Sequence, residues 1–363
     1  MLIGVDCGCL GIKDKRLKVG VYRLAENLLL NLSKIDKKNK YFLYSFYPIE
    51  KSLMKSFGSR MENIAITPTR GWMKLWLPLR LNKDKPDVFL ALGQAVPSIP
   101  LMHKPYMIDF VYDLAFEKFP DMYPGSLKKL KKNSMKAAKK SDRIITISNS
   151  SKKDLMKIYK IKSKKIKVSY PGGHEGFSNR GKKYKAKKPY FLFVGAMKRT
   201  KNIPGLIRGF NYFLGKSNLD YDLYIVGGDK WLDPDIEKKH QNIKFLGFVT
   251  DEKLASLYRG AVAFVAPSFY EGFGIPFLEA MKSGCPVISS NVSSVPEVVG
   301  DAGISINPQS SKELGEAMID VSTNFKKRKA MVKKSLKRAR NFSWNNFAAD
   351  VLESINKSNE QKK

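Results

Sequence analysis

Residues 261–291 read AVAFVAPSFYEGFGIPFLEAMKSGCPVISSN. The apolar run from Ala261 to Ala266 has the composition of a buried strand, and Pro267 with Ser268 ends it. A Gly-rich turn follows, and then a short helix over about 276–283, with Pro276 at the first helical position and Gly284 just past the last. Strand, tight turn and helix in this order aim a helix N-terminus, with its unpaired N–H groups and partial positive charge, at whatever sits above the strand end. That is an anion site, and phosphate is the natural anion. Gly272 and Gly274 carry no Cβ and let the backbone approach such a group closely.

Two carboxylates flank this cradle: Glu271 before the helix and Glu279 in its first or second turn. A carboxylate beside a phosphate repels it, so Glu279 is expected to face hydroxyls, which a sugar ring or a ribose supplies in pairs. Phosphate plus polyol points to a nucleotide-sugar. The plainer alternative is that Glu279 favours the helix dipole and Glu271 is a solvated turn residue.

The surrounding residues decide between them. The run SFYEGFGIPFLEAMKSGCPVISSN, followed by VPEVVGDAG, resembles the E-x7-E region of the family-four (group 1) retaining glycosyltransferases, with Glu271 and Glu279 at its two Glu positions. The resemblance implies a GT-B fold, in which two Rossmann-like, doubly wound α/β domains face a central cleft. Weaker likenesses extend it along most of the chain.

Bulk properties agree with a two-domain enzyme. At 363 residues with 43% hydrophobic side chains, the chain exceeds one ordinary domain and can fill two cores. Three cysteines, Cys7, Cys9 and Cys285, make no disulfide framework and indicate a reducing compartment. Cys7 and Cys9 are expected on one face of the first strand, as small buried thiols and not as half of a zinc site. The start, MLIGVDCG, reads as a strand and not a signal peptide, and no apolar run is long enough to span a membrane. A cytoplasmic protein is expected. The net charge of +33, from 66 Lys plus Arg against 33 Asp plus Glu, implies attraction to polyanions, or else a lysine-rich solvated surface. Basic residues cluster at 128–140, 180–188 and 325–340 without an aromatic-rich RNA-binding signature between them, so nucleic acid is not an expected partner.

Strand-like runs at residues 2–7, 40–45, 88–92 and 106–111 alternate with helical stretches, the pattern of a parallel sheet covered on both faces. Gly20, before the helical run VYRLAENLLLNL, resembles the glycine of the family's first loop and is carried over as a donor-binding position. After the run at 106–111 comes Tyr112-Asp113, where the family commonly has His-Asp near the sugar. Tyr112 is a far poorer base than histidine but can hydrogen-bond a sugar or phosphate; Asp113 is a candidate for acceptor hydroxyls or a helix cap. His174 falls where the family more often has Asp and is read as an exposed linker residue.

The resemblance divides the chain into an acceptor-side domain at 1–172, a linker at 173–188, a nucleotide-sugar domain at 189–341, and a terminal helix with basic tail at 342–363 that crosses back. In the nucleotide-sugar domain the turn GAMKRTKN at 195–202 resembles the family's V-G-x-x-x-x-x-K-N turn. It implies a diphosphate-binding role for Lys201, helped by Arg199, with Gly195 in the turn. Val249, in GFV at 247–249, matches the loop that lines the base. Phe273, Gly274 and Ile275 supply backbone to the donor along with Gly272. Asp233-Pro-Asp235 is formally a D-x-D but reads as a helix cap.

The implied reaction transfers a hexosyl group, mannosyl or similar, with retention and without a metal or cofactor, to an envelope glycan or lipid-linked acceptor. Glu271, Lys201 and Arg199 are the catalytic candidates. Retaining glycosidases use two carboxylates at a set separation, and only one is placed here, so a front-face displacement with the leaving phosphate as base is expected. The basic surface fits docking on an anionic membrane. A sugar phosphorylase or a nucleotide-sugar epimerase would share the architecture, and a nucleic-acid-binding protein would explain the charge but leave the paired glutamates unused.

Overall fold

The computed structural model describes residues 1–12, 14, 20–67, 70–97, 101–123, 127–228 and 241–358. It divides into two compact units: one formed by Met1–Lys118, Pro124–Pro171 and Ser343–Lys363, the other by Phe119–Tyr123 and Gly172–Phe342.

The first unit is built on β1 (Leu2–Asp6), β2 (Lys40–Ser45), β3 (Met61–Ala65), β4 (Val88–Ala91), β5 (Tyr106–Val111), β6 (Arg143–Thr146) and β7 (Ile166–Val168). They form one sheet in the order β3-β2-β1-β4-β5-β6-β7. The second holds β8 (Tyr190–Val194), β9 (Asp222–Val226), β10 (Ile243–Gly247), β11 (Ala263–Ala266), β12 (Val287–Ser290) and β13 (Ile304–Ile306), in the order β10-β9-β8-β11-β12-β13. Every strand pair in both sheets is parallel. Central strands such as β4, β9 and β11 are buried along their whole length, because helices cover both faces and near-continuous apolar runs satisfy both. In each sheet the winding reverses beside the first strand, between β1 and β4 and between β8 and β11, and the carboxyl ends there are where such sheets hold ligands.

The last helix, Trp344–Asn356, belongs to the first unit. Ser343 caps it by accepting from the Asn346 N–H at 3.1 Å, and Trp344, Phe347, Val351 and Ile355 form its buried stripe. That stripe packs against the helix Val21–Ile35, and Phe347 meets Phe110 of β5 with ring centroids 6.5 Å apart.

Several local readings are corrected. Ala261 and Val262 are not strand: the Ala261 N–H donates to the Leu257 carbonyl, closing the helix Asp251–Gly260, so β11 begins at Ala263. The helix read at 276–283 is Ile275–Lys282, because Gly274 at φ +98° is its N-cap and moves Pro276 to the second position. Cys7 and Cys9 do not share a strand face: β1 ends at Asp6, and a 3-10 turn over Gly8–Gly11 separates them, burying Cys7 and leaving Cys9 half-buried. Residues 173–188 are sewn to the second unit. Phe177 is buried against Tyr258 with centroids 5.8 Å apart, the Tyr184 N–H donates to the Ser256 carbonyl, and Arg259 donates to the carbonyls of Ser178 and Lys182. His174 is half-buried, with Nδ1 accepting from the Gly176 N–H. Asp233 and Asp235 lie outside the described residues.

Candidate active site

The site is assembled at the carboxyl edge of β8 and β11, neighbours in the second sheet through Ala263↔Phe191 and Phe264↔Leu192. After β8 the chain makes a short 3-10 turn, Arg199–Lys201, and enters the helix Ile203–Ser217. After β11 it runs through Pro267 and Ser268 to Glu271. The adjacency of the two strands brings together side chains 70 positions apart: Lys201 Nζ lies 2.6 Å from both Glu271 carboxylate oxygens. Ser268, fully buried, donates to Glu271 Oε1 at 2.8 Å. The lysine and glutamate side chains are only 18% and 10% exposed, so the pair is largely desolvated. An ammonium has three donors, and two directed at the carboxylate leave a third.

Both loops are held by hydrogen bonds that leave little freedom. Asn202, in the left-handed region at φ +54°, accepts from the Gly205 N–H at 3.1 Å and caps the helix Ile203–Ser217. Its amide donates to the carbonyls of Pro267 at 3.1 Å and Pro308 at 2.7 Å, and the Phe269 N–H donates to the Thr200 carbonyl at 2.8 Å. The turn carrying Lys201 is therefore stapled to the turn carrying Glu271. On the other side, Ser293 Oγ donates to the Glu271 carbonyl at 2.6 Å, and Ser294 Oγ lies 2.9 and 3.1 Å from the carbonyl oxygens of Glu271 and Phe273. The resulting bend points the N-terminus of the helix Ile275–Lys282 outward beyond β11. At Gly274 a Cβ would meet the Phe277 ring at 2.4 Å as well as the strained φ, so only glycine fits.

Glu279 is buried within that helix, 4% exposed. Lys282 extends from the last turn to the carbonyls of Gly173 and His174, at 3.3 and 2.8 Å. Burial pushes the Lys282 ammonium below its usual range, while Glu175 and Glu279 pull it back up. Gly272 and Ile275 are partly exposed, and Phe273 is buried against Phe342 with centroids 5.6 Å apart. Gly195 follows β8 directly and donates to the Val226 carbonyl at 3.0 Å; an added Cβ would lie 3.9 Å from Lys201 Cε. Arg199 is exposed on the same turn, and Val249 is half-buried past β10, two strands from β8.

The remaining sequence-derived residues are in the first unit. Gly20, at φ +53°, is the N-cap of Val21–Ile35, with no atom within 4 Å of where a Cβ would stand. Tyr112 follows β5, and its hydroxyl donates to the Leu92 carbonyl at 2.7 Å; burial raises its pKa well above the ordinary phenol range. Its one proton is thus given to the backbone, which leaves the oxygen only as an acceptor. Asp113 Oδ1 accepts from the Ala115 N–H at 3.0 Å, as a cap for the short helix Ala115–Lys118.

Sequence reasoning missed Ser268, Asn202, Ser293 and Ser294. Ser268 stands three residues before Glu271 in a turn, a spacing that could have marked it. The two serines after β12 carry no such signal, since only the sheet order brings them to Glu271.

Two doubly wound parallel sheets, the second bearing a glycine turn, an outward helix N-terminus and a lysine–glutamate pair at its carboxyl edge, define an enzyme of the GT-B type. Residues 177–338 match the family described as Glycosyl transferases group 1, and the chain is a glycosyltransferase. It is 29% identical over 257 residues to O-antigen chain mannosyltransferase B of Escherichia coli, covering 66% of this chain and 68% of that one. It is 31% identical over 234 residues to O-antigen chain mannosyltransferase RfbU of Salmonella typhimurium, covering 62% of each chain. Among solved structures, the sucrose-phosphate synthase of Thermosynechococcus elongatus superposes with a TM-score of 0.76 over 98% of both chains at 16% identity, a likeness of fold.

Proposed function

We propose that the protein is a retaining hexosyltransferase that moves a mannosyl or similar group from a nucleotide diphosphate sugar to a cell-envelope glycan or lipid-linked acceptor. The observation that carries this reading is the buried Lys201–Glu271 pair beside the N-terminus of the helix Ile275–Lys282. The similarity to O-antigen mannosyltransferases favours a mannosyl donor and a polysaccharide acceptor.

In this reading the bond between the anomeric carbon and the diphosphate oxygen breaks while the acceptor hydroxyl oxygen bonds to the same face of that carbon. The acceptor proton passes to the leaving diphosphate. Negative charge grows on that oxygen, and Lys201, Arg199 and the N–H groups near Phe273 and Gly274 take it up. Glu271 fixes Lys201 and offers its carboxylate to sugar hydroxyls; Glu279 serves the ribose. Gly20, Gly195, Gly272, Ile275 and Val249 are donor positions, and Tyr112 and Asp113 are positions for the acceptor or sugar. The protein's own cations meet the diphosphate charge, so the reading gives no step to a metal or cofactor.

The donor is identified by thermal shift across uridine, guanosine and adenosine diphosphate sugars. A true donor at 100 times its dissociation constant stabilises by about 2.7 kcal/mol, and the Lys201→Met variant should lose most of that protection. If no member of the panel protects the wild type, the donor assignment fails.

The proposal extends to contact with an anionic membrane. The net charge of +33 and the helix Leu127–Lys140, which exposes Leu130 and Met135 among lysines, suit such a surface. No helix among the described residues is long and apolar enough to cross a membrane. Vesicles containing anionic lipid should retain the protein at low salt and release it at high salt; indifference to them at low salt removes this part of the reading.

A further inference from the structure

The amino-terminal edge of the first sheet, opposite the carboxyl ends where such folds hold their reactants, carries a cavity of about 590 Å³. Its floor is the start of β5 at Tyr106 and of β6 at Arg143, and its far wall is the loop into β7. Six cations line it: Lys139, Arg143, Lys160, Lys162, Lys164 and Lys165. Against them stands one lining carboxylate, Asp142, whose Oδ2 already accepts from the Met107 N–H at 2.8 Å. The whole chain has two cations per carboxylate, so a ratio of six to one exceeds what its lysine-rich composition supplies.

The walls are fixed in place. Arg143 Nη1 donates to the Lys164 carbonyl at 2.8 Å, and Lys165 Nζ donates to the Lys139 carbonyl at 2.9 Å, tying the β7 loop to β6 and to the end of the helix Leu127–Lys140. Arg143 Nε is buried with no hydrogen-bond partner, an unusual position for a guanidinium donor. Burial also pushes the Lys165 ammonium below its usual range, against the upward pull of Asp142 and Asp109. Bringing so many cations together costs Coulomb energy that an anion would offset.

We infer that this cavity is a second ligand site, separate from the transfer reaction, and that it binds a small molecule bearing several contiguous phosphates. One phosphate would leave most of the cations uncompensated, whereas an oligophosphate places two to four charges at once. The volume lies in the range of small-molecule sites. None of the exposed large hydrophobic residues among those described lines it, which disfavours a lipid surface. The two tyrosines that do, Tyr106 and Tyr159, are not exposed as a stacking platform for single strands would be.

The test titrates the full-length protein with sodium tripolyphosphate by calorimetry at physiological salt. It compares the wild type with Lys160→Gln/Lys162→Gln/Lys164→Gln, three exposed positions, and with Lys326→Gln/Lys329→Gln/Lys333→Gln, which removes the same charge from an exposed helix of the second unit. The first variant should bind at least about tenfold more weakly, and the control should bind as the wild type does. Thermal protection by nucleotide diphosphate should be unchanged in both. Equal weakening in both variants means a diffuse charge effect, and unchanged binding in the first means that tripolyphosphate sits in the donor cradle. Either outcome overturns the inference, as does capture by anionic vesicles without binding of tripolyphosphate. Should the triple variant misfold, Lys164→Gln alone, with a smaller but measurable loss, decides the matter.

Discussion

Replacing Lys201 by methionine should lower the transfer rate by roughly 100- to 1000-fold, the range seen when one preorganised donor to a developing oxyanion is removed. The same change should also destabilise the second unit, because it leaves the Glu271 side chain 10% exposed and without its cation. Breaking one side of a buried pair costs about 3–5 kcal/mol, far more than losing a surface ion pair. The two effects separate in the double variant Lys201→Met/Glu271→Gln, which removes the stranded charge. Thermal unfolding of the double variant should return most of the way to the wild type while transfer stays at the level of the single variant. Recovery of transfer together with stability would mean that the pair is architectural only. A Lys201→Met enzyme with undiminished kcat/KM would remove the lysine from the mechanism altogether.

Gly227→Ala should be the most damaging single methyl in the second unit. Gly227 closes β9 at φ +139°, and a Cβ there would lie 2.0 Å from the Gly195 carbonyl oxygen. The obstacle is backbone, which cannot rotate away as a side chain can, and the Gly195 N–H is itself bound to the Val226 carbonyl. The turn leading to Lys201 must therefore shift, and with it the ammonium position. An expected cost of at least about 3 kcal/mol follows from combined clash and dihedral strain. Donor protection in a thermal-shift assay should fall with it. Gly215→Ala is the matched control: Gly215 is exposed inside the helix Ile203–Ser217, nothing stands within 4 Å of its added methyl, and the change should stabilise by roughly 0.5–1 kcal/mol. If both variants behave alike, the close approach of the β8 and β9 turns is not a constraint on the site.

The parallel α/β class was legible because buried parallel strands are apolar on both faces and their helices carry a separate period, so two independent patterns alternate along the chain. The glycine turn at 272–274 was legible for a local reason also: residues that tolerate positive φ beside a helix start have few other uses. Strand β3 was not, since MENIA places Glu62 and Asn63 in an edge strand, where one side needs no apolar cover and the pattern fades. Cys7 and Cys9 were misplaced by one element because the end of β1 depends on its neighbours, not on its own composition.

The glycine turn and helix start that carry Glu271 and Glu279 belong to the sequence, because consecutive residues encode their short-range geometry, and Lys201 was singled out by the resemblance of its turn. The pairing of Lys201 with Glu271, the Asn202 staple and the two serine locks belong to the tertiary structure alone. They join segments about 20 to 106 residues apart, and which loops meet is set by the order in which strands enter the sheet, a property that no local window of sequence contains. The cation-lined cavity at the other edge arose in the same way, because only the sheet brings Lys139, Arg143 and the four lysines of 160–165 around a common space.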